Sequence, residues 1–261
     1  MRLRLLLVFL ALAAILRAAT PAPLAEALET GVDDFDCWAY TQTEQNVDAK
    51  GSIHGARSIR FDPSKPYAEQ YVPLSIDGKP PTDAQKEDYR RRGEKRGKHL
   101  EEIAQKAKNP GDDKGTININ GQMAKFDFEH AAIKSETPAS ITYLVPLLPK
   151  GDNPLPVEKI RLTVQVGKAH HVLEHAEFTL LASYRFKVVA KLNAGTFAMD
   201  WQTVSPDFRP VTSGQKITYA ASVLFVKFAG TQTTVRTDIQ RVKPYSARFG
   251  VHIGPLKNLS F

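Results

Sequence analysis

From residue 157 to residue 245 the chain alternates apolar and polar positions with a period of two. In residues 158–166, Ile160, Leu162, Val164 and Val166 fall on one side and Lys159, Arg161, Thr163 and Gln165 on the other. Side chains alternate across a strand, so this pattern predicts one buried and one wet face. Tyr184, Phe186, Val188 and Leu192 repeat it. Phe197, Met199 and Trp201 resume it after Asn193, Ala194 and Gly195, which predict a short hairpin turn. A longer strand is predicted over 216–228, with Ile217, Tyr219, Ala221, Val223 and Phe225 on one face. Ala229 and Gly230 then predict a turn into a final strand over 231–241. The result is an antiparallel meander with one solvated face. Its buried face carries large aromatics and Met, so it needs an equally apolar cover.

Upstream, 23–31 predicts a short helix that stops at Gly31. Strands are predicted over 35–45 and 51–61, joined by a turn at 46–50, with Ile53 and Ile59 inward and His54 on the polar side. Residues 71–76 predict another strand, and Pro73 marks it as an edge or a bulge, because proline cannot donate to a ladder. Thr82 caps a strongly helix-forming segment over 83–108. Basic and acidic residues alternate along it and an apolar stripe begins only near Leu100, so it predicts a solvated helical excursion, weakened in the middle by Gly93 and Gly97. Residues 109–115 predict a loop. In 127–135, Phe128, Ala131 and Ala132 have helical spacing and predict a second short helix. A strand over 141–148 and a proline-rich connection over 146–156 lead into the meander.

The N-terminus changes the compartment. Arg2 and Arg4 precede an uninterrupted apolar run over 5–16, and small residues and prolines follow. Residues 1–22 therefore predict a secretory signal peptide, with Ala19, Ala22 and Ala27 as candidate ends; an uncleaved anchor is the alternative. The remaining residues 23–261 are expected to form one β-rich domain in the periplasm. The chain has 261 residues, 42% of them hydrophobic, enough for a substantial core. Cys37 is the only cysteine, so no internal disulfide can form, and it is expected as a buried small hydrophobe. Of 35 Lys and Arg, the three at Arg2, Arg4 and Arg17 leave with the signal, so 32 face 28 acidic residues, a net charge of +4. That modest excess argues against a nucleic-acid partner and weakly favours anionic membrane surfaces or acidic partners.

Candidate chemistry is sparse. His171, Glu174 and His175 match the H-x-x-E-H pattern of one zinc peptidase class. On a helix the two histidines would share a face and bind zinc, with Glu174 as general base. Here the motif lies between two strands, with no long helix to carry it. It predicts a loop or strand start with Leu173 and Phe178 toward the core and the histidines toward water; zinc hydrolysis is the lesser alternative. No G-x-S-x-G elbow or phosphate-cradling glycine loop occurs, and Asp33, Asp34 and Asp36 lack the Gly and distal Glu of a calcium loop. No catalytic residue and no cofactor is expected.

The helix at 23–31, the early strands ending in Arg60, Phe61, Asp62 and Pro63, the short apolar helix and the closing meander together resemble the LolA-like superfamily. That superfamily includes periplasmic lipoprotein carriers, outer-membrane lipoprotein receptors and mycobacterial lipid carriers. The run 74–82, followed by a Tyr- and Arg-rich helix, and Phe228, Ala229 and Gly230 before a final strand are similar to uncharacterised exported proteins of that class. The resemblance implies an α+β, mainly β fold: a curved antiparallel sheet, an incomplete barrel, covered by short helices. It also implies an apolar cavity that takes a lipid or the acyl chains of a lipoprotein, and a strand arginine that regulates closure, for which Arg60 is the candidate. The face bearing Phe186, Val188, Phe197, Met199, Trp201, Tyr219 and Phe225 is the expected lining. A monomeric carrier is expected; an envelope protein-interaction or sensing module with a filled core is the alternative.

Overall fold

The computed structural model describes residues 19–30, 35–107, 126–148, 157–186, 190–224 and 226–249. Most of the expected signal segment, the loop at 109–115, Val188, Phe225 and the side chain of Phe186 lie outside the described residues.

The described chain is mostly strand, with two α-helices, α1 (Ala22–Thr30) and α2 (Asp83–Ala107). The strands are β1 (Trp38–Asp48), β2 (Ile53–Phe61), β3 (Tyr71–Ile76), β4 (Ala132–Glu136), β5 (Ser140–Val145) and β6 (Ile160–Gly167). They continue with β7 (Val172–Leu180), β8 (Tyr184–Phe186), β9 (Ala190–Gln202), β10 (Val211–Val223) and β11 (Val226–Arg241). All pair antiparallel in one open sheet of order β3-β2-β1-β11-β10-β9-β7-β6-β5-β4, with short β8 beside the first residues of β9. The first strand lies beside the last, β1 on β11, so the two halves of the chain share one sheet. β3 and β4 are its edges. Pro73 sits on edge strand β3 opposite a register shift, which is where a residue without an N–H is tolerated.

Three expected elements differ. Residues 127–135 do not form an α-helix. Asp127 accepts a hydrogen bond from the His130 amide at 3.2 Å and closes a single 3₁₀ turn, Phe128–His130. Ala131 is then extended, and Ile133 pairs with Tyr143 in β4, so cross-strand pairing overrides the helical spacing. Phe126, Phe128 and Ala131 still pack on the core. Asn193, Ala194 and Gly195 do not turn the chain but lie within β9. Against β10, Ala194 pairs with Ala220 and Leu192 with Ala221, which leaves Asn193 as the extra residue of a bulge. There β9 changes partner, from β8 at 190–192 to β7 at 196–200. Ala229 and Gly230 likewise lie inside β11; the reversal falls between Val223 and Val226, with Leu224 at φ +47°. Gly230 serves a close approach instead: a Cβ there would lie 3.0 Å from the Val47 carbonyl oxygen and 3.1 Å from the Tyr219 hydroxyl.

The best-buried side chains cluster under α1. Leu24 and Ala27 are fully buried against Tyr143, Val145, Leu162, Val164, Val166 and Leu173. The α1 face is short, but it lies on the strands whose inward positions are most uniformly apolar. α2 covers the other end. Thr82 and Gln85 form a reciprocal cap, the backbone N–H of Gln85 donating to the Thr82 hydroxyl and the backbone N–H of Thr82 to the Gln85 side-chain Oε1. The helix is charged along its exposed side, yet Tyr89, Gly93 and Gly97 are buried. The two glycines let it approach the turn at Tyr67, and Arg96 reaches from it to Gln70 at 2.8 Å and pairs with Asp36.

Candidate functional site

Strand register places both helices on one face of the sheet. A single row of directly opposed residues begins with Arg57, Glu44, Thr234 and Gln215, on β2, β1, β11 and β10. The same row continues through Met199, Ala176, Val164 and Tyr143, on β9, β7, β6 and β5. Opposed residues project to the same side. Tyr143 and Val164 lie under α1. At the far end Phe61, two positions along β2 from Ile59, faces α2, with the Arg96 guanidinium 5.1 Å above its ring. The two described helices therefore cover the two ends of this face, and among the described residues no helix covers its middle, β9 to β11.

The middle is divided by polarity. Phe178, Phe197 and Ile217 stand side by side on β7, β9 and β10, and the two phenylalanine rings lie 6.0 Å apart. Met199 and Trp201 follow along β9 on the same side, and Tyr219 follows Ile217 along β10. Tyr219 touches Phe228 across the strands, at 6.3 Å between rings, and the two are 39% and 45% exposed. Phe197, Met199, Trp201 and Ile217 are half-buried. Of the seven expected lining residues, the structure brings Phe197, Met199, Trp201 and Tyr219 onto one continuous face.

Beyond Ile217 the same face turns polar. Arg57 donates to Glu44 at 2.6 Å, Gln42 donates to the other Glu44 oxygen at 2.6 Å, and Arg236 donates to Gln42 at 3.0 Å. Arg236 also lies 4.4 Å over the Tyr40 ring. Tyr40, Phe61 and Tyr71 stack in sequence at 5.2 and 4.9 Å. Burial pushes the Tyr40 phenol above its ordinary range, against the opposing pull of Arg236, and burial does the same to Tyr71. The face thus runs from apolar under α1 to hydrogen-bonded and charged near α2. Sequence reading missed the polar half, because Gln42, Glu44, Arg57 and Arg236 come from three distant segments. Their local signs were polar residues at inward-facing parity, Gln42 and Glu44 in β1 and Arg57 in β2.

Arg60 does not join this face. It pairs in register with Thr41, on the opposite side from Phe61, and donates to the Asp238 carbonyl at 3.0 Å. It lines a separate cleft of about 440 Å³ between β3 and α2, with Tyr71, Val72, Lys86 and Arg90.

The H-x-x-E-H residues do not converge. His171 ends a turn at φ +46°, and β7 begins at Val172. His171 meets Glu26 of α1 at 2.6 Å; His175 meets Asp200 of β9 at 2.6 Å; Glu174 accepts from Gln165 at 2.9 Å. Leu173 is buried and Phe178 packs on the core. Each histidine has its own carboxylate, and no cluster of three metal-ligating side chains occurs among the described residues. Comparison of the sequence with protein-family models and with curated proteins gives no match.

Proposed function

We propose that the chain is a non-catalytic binding or carrier protein for a hydrophobic ligand, a lipid or the acyl chains of a lipoprotein, acting as a monomer in the periplasm. One observation supports this reading: among the described residues the helices cover the two ends of one sheet face, and Phe197, Met199, Ile217, Tyr219 and Phe228 stand half-covered between them. An apolar chain laid along β9 and β10 would complete that cover. Each methylene it buries contributes about 0.8 kcal/mol, so an acyl chain binds without any reacting group. The polar end of the same face, at Gln42, Glu44, Arg57 and Arg236, suits the wet end of an amphiphile. The resemblance to the LolA-like carriers points the same way, and the apolar run at 5–16 accords with export.

The test is uptake of a fluorescent fatty-acyl probe by purified protein, together with mass spectrometry of lipid carried through purification. Probe binding should be saturable and should weaken on Ile217→Asn, by about ten- to a hundred-fold for the loss of one buried aliphatic contact of 1.5–3 kcal/mol. Absence of both co-purified lipid and probe binding contradicts the reading.

A further inference from the structure

The end of the sheet formed by β8, the start of β9 and the β10–β11 hairpin carries two adjacent rows of opposite character. One row is Arg185, Lys191, Ser222 and Lys227, opposed across four strands. The rows on either side project to the other face and carry Val223 opposite Val226, then Leu192, Ala221 and Phe228. Leu224, at the reversal, is 63% exposed and Val226 is 67% exposed. With Phe228, Tyr219 and Val223 they form a contiguous exposed apolar patch at the hairpin end. No ion pair is recorded for Arg185, Lys191 or Lys227 among the described residues. The sequence holds no Asp or Glu from residue 184 to 199 or from 211 to 237. The first acidic position in register is Asp48, opposite Gly230, and its carboxylate is held by Lys50, Ser52 and His54.

We propose that this end of the sheet docks on an anionic lipid bilayer. Leu224 and Val226 enter the interfacial zone, and Arg185, Lys191 and Lys227 meet the headgroups. The assignment follows from charge complementarity beside an aliphatic tip. Aliphatic side chains in this position gain by leaving water, which a nucleic-acid backbone would not reward. Basic side chains beside them gain from the negative surface potential. The tight reversals between β1 and β2, β4 and β5, and β6 and β7 carry no large aliphatic side chain at their tips: they run through Ala49 to Ser52, Thr137 to Ala139, and Lys168 to His171. Tyr219 and Phe228 belong both to this patch and to the inner face, but Leu224, Val226 and the basic row lie beyond the proposed ligand site, and docking is read without a ligand, so either can fail alone.

The test uses the full chain with an environment-sensitive fluorophore attached through Leu224→Cys in a Cys37→Ser background. A second label through Glu101→Cys on α2 serves as the control. Vesicles containing phosphatidylglycerol should shift the emission at 224 to the blue and leave 101 unchanged, so an apolar N-terminal run inserting by itself cannot produce the signal. Pure phosphatidylcholine vesicles should give a much weaker response. Lys191→Gln with Lys227→Gln should weaken the phosphatidylglycerol response by about 25-fold, about fivefold per charge. The proposal is overturned by an equal shift at both positions, by no shift at 224, or by a response indifferent to lipid charge and to the lysines. It is also overturned by a shift without vesicles that rises with protein concentration, which would assign the patch to a second copy of the chain.

Discussion

Gly93→Ala separates a docked α2 from a freely solvated one. In an isolated helix the substitution is favourable by about 0.8–1 kcal/mol, because glycine carries the larger entropy cost. Here a Cβ at Gly93 would lie 1.9 Å from the Tyr67 carbonyl oxygen, a backbone atom that cannot rotate away. Restoring an ordinary contact requires a separation above 3 Å, so helix or turn must move by more than an ångström. That retreat also loosens the Arg96 bond to Gln70 and its pair with Asp36. Overpacking of this kind costs about 1–3 kcal/mol. The backbone contact puts Gly93→Ala at the upper end, a net loss of about 2 kcal/mol after the propensity gain. Urea unfolding followed by the fluorescence of Trp38, 2% exposed on β1, reads it directly. With a slope of about 2–3 kcal/mol per molar for a chain of this size, the midpoint should fall by about 1 M. Lys95→Ala, on the exposed side of the same helix, should stay within about 0.5 kcal/mol of the parent. If Gly93→Ala is as stable as the parent or more stable, α2 is not seated on Tyr67.

Leu24→Ala removes a fully buried side chain from the α1 contact, and should cost about 3 kcal/mol in the same urea experiment. The His130 imidazole is held above its ordinary 6.5 first by its hydrogen bond to Asp127 and then by that carboxylate's charge. An NMR titration should place its midpoint above 6.5, and Asp127→Asn should lower it. Because the folded-state value is raised, this pair stabilises fully below about 6.5 and its contribution fades as pH rises through the folded value. The stability gap between parent and Asp127→Asn should therefore narrow as pH rises from about 6.5 through the folded value. Zinc should leave the melting temperature of the parent and of His175→Ala unchanged, since His171 and His175 are bound to separate carboxylates.

The α+β, mainly β class was legible because half-buried strands write their alternation into the sequence. Ile160, Leu162, Val164 and Val166 share a face in β6 as their spacing predicts. Glycines and asparagines were legible as special positions but not as to which demand they meet. Asn193 sits in a bulge where β9 exchanges β8 for β7; Gly230 makes room for Tyr219 and Val47; Gly93 and Gly97 admit Tyr67. Each demand comes from a partner remote in sequence, so local reading returned a turn or a weak helix. The helical spacing of Phe128, Ala131 and Ala132 failed because β5, the next strand along the chain, offered Ile133 a ladder. The apolar half of the candidate site could be read from β9 and β10 alone. Its polar half could not, since Glu44, Arg57 and Arg236 meet only once β1 has joined β2 and β11.

The most direct test of ligand binding on the inner face is photo-crosslinking with a diazirine-bearing fatty acid, followed by peptide mapping. Adducts should concentrate in peptides holding Phe197 to Trp201 and Ile217 to Tyr219 and be competed away by unlabelled fatty acid. Adducts confined to the cleft of Arg60 and Lys86, or no competable adduct at all, would contradict it.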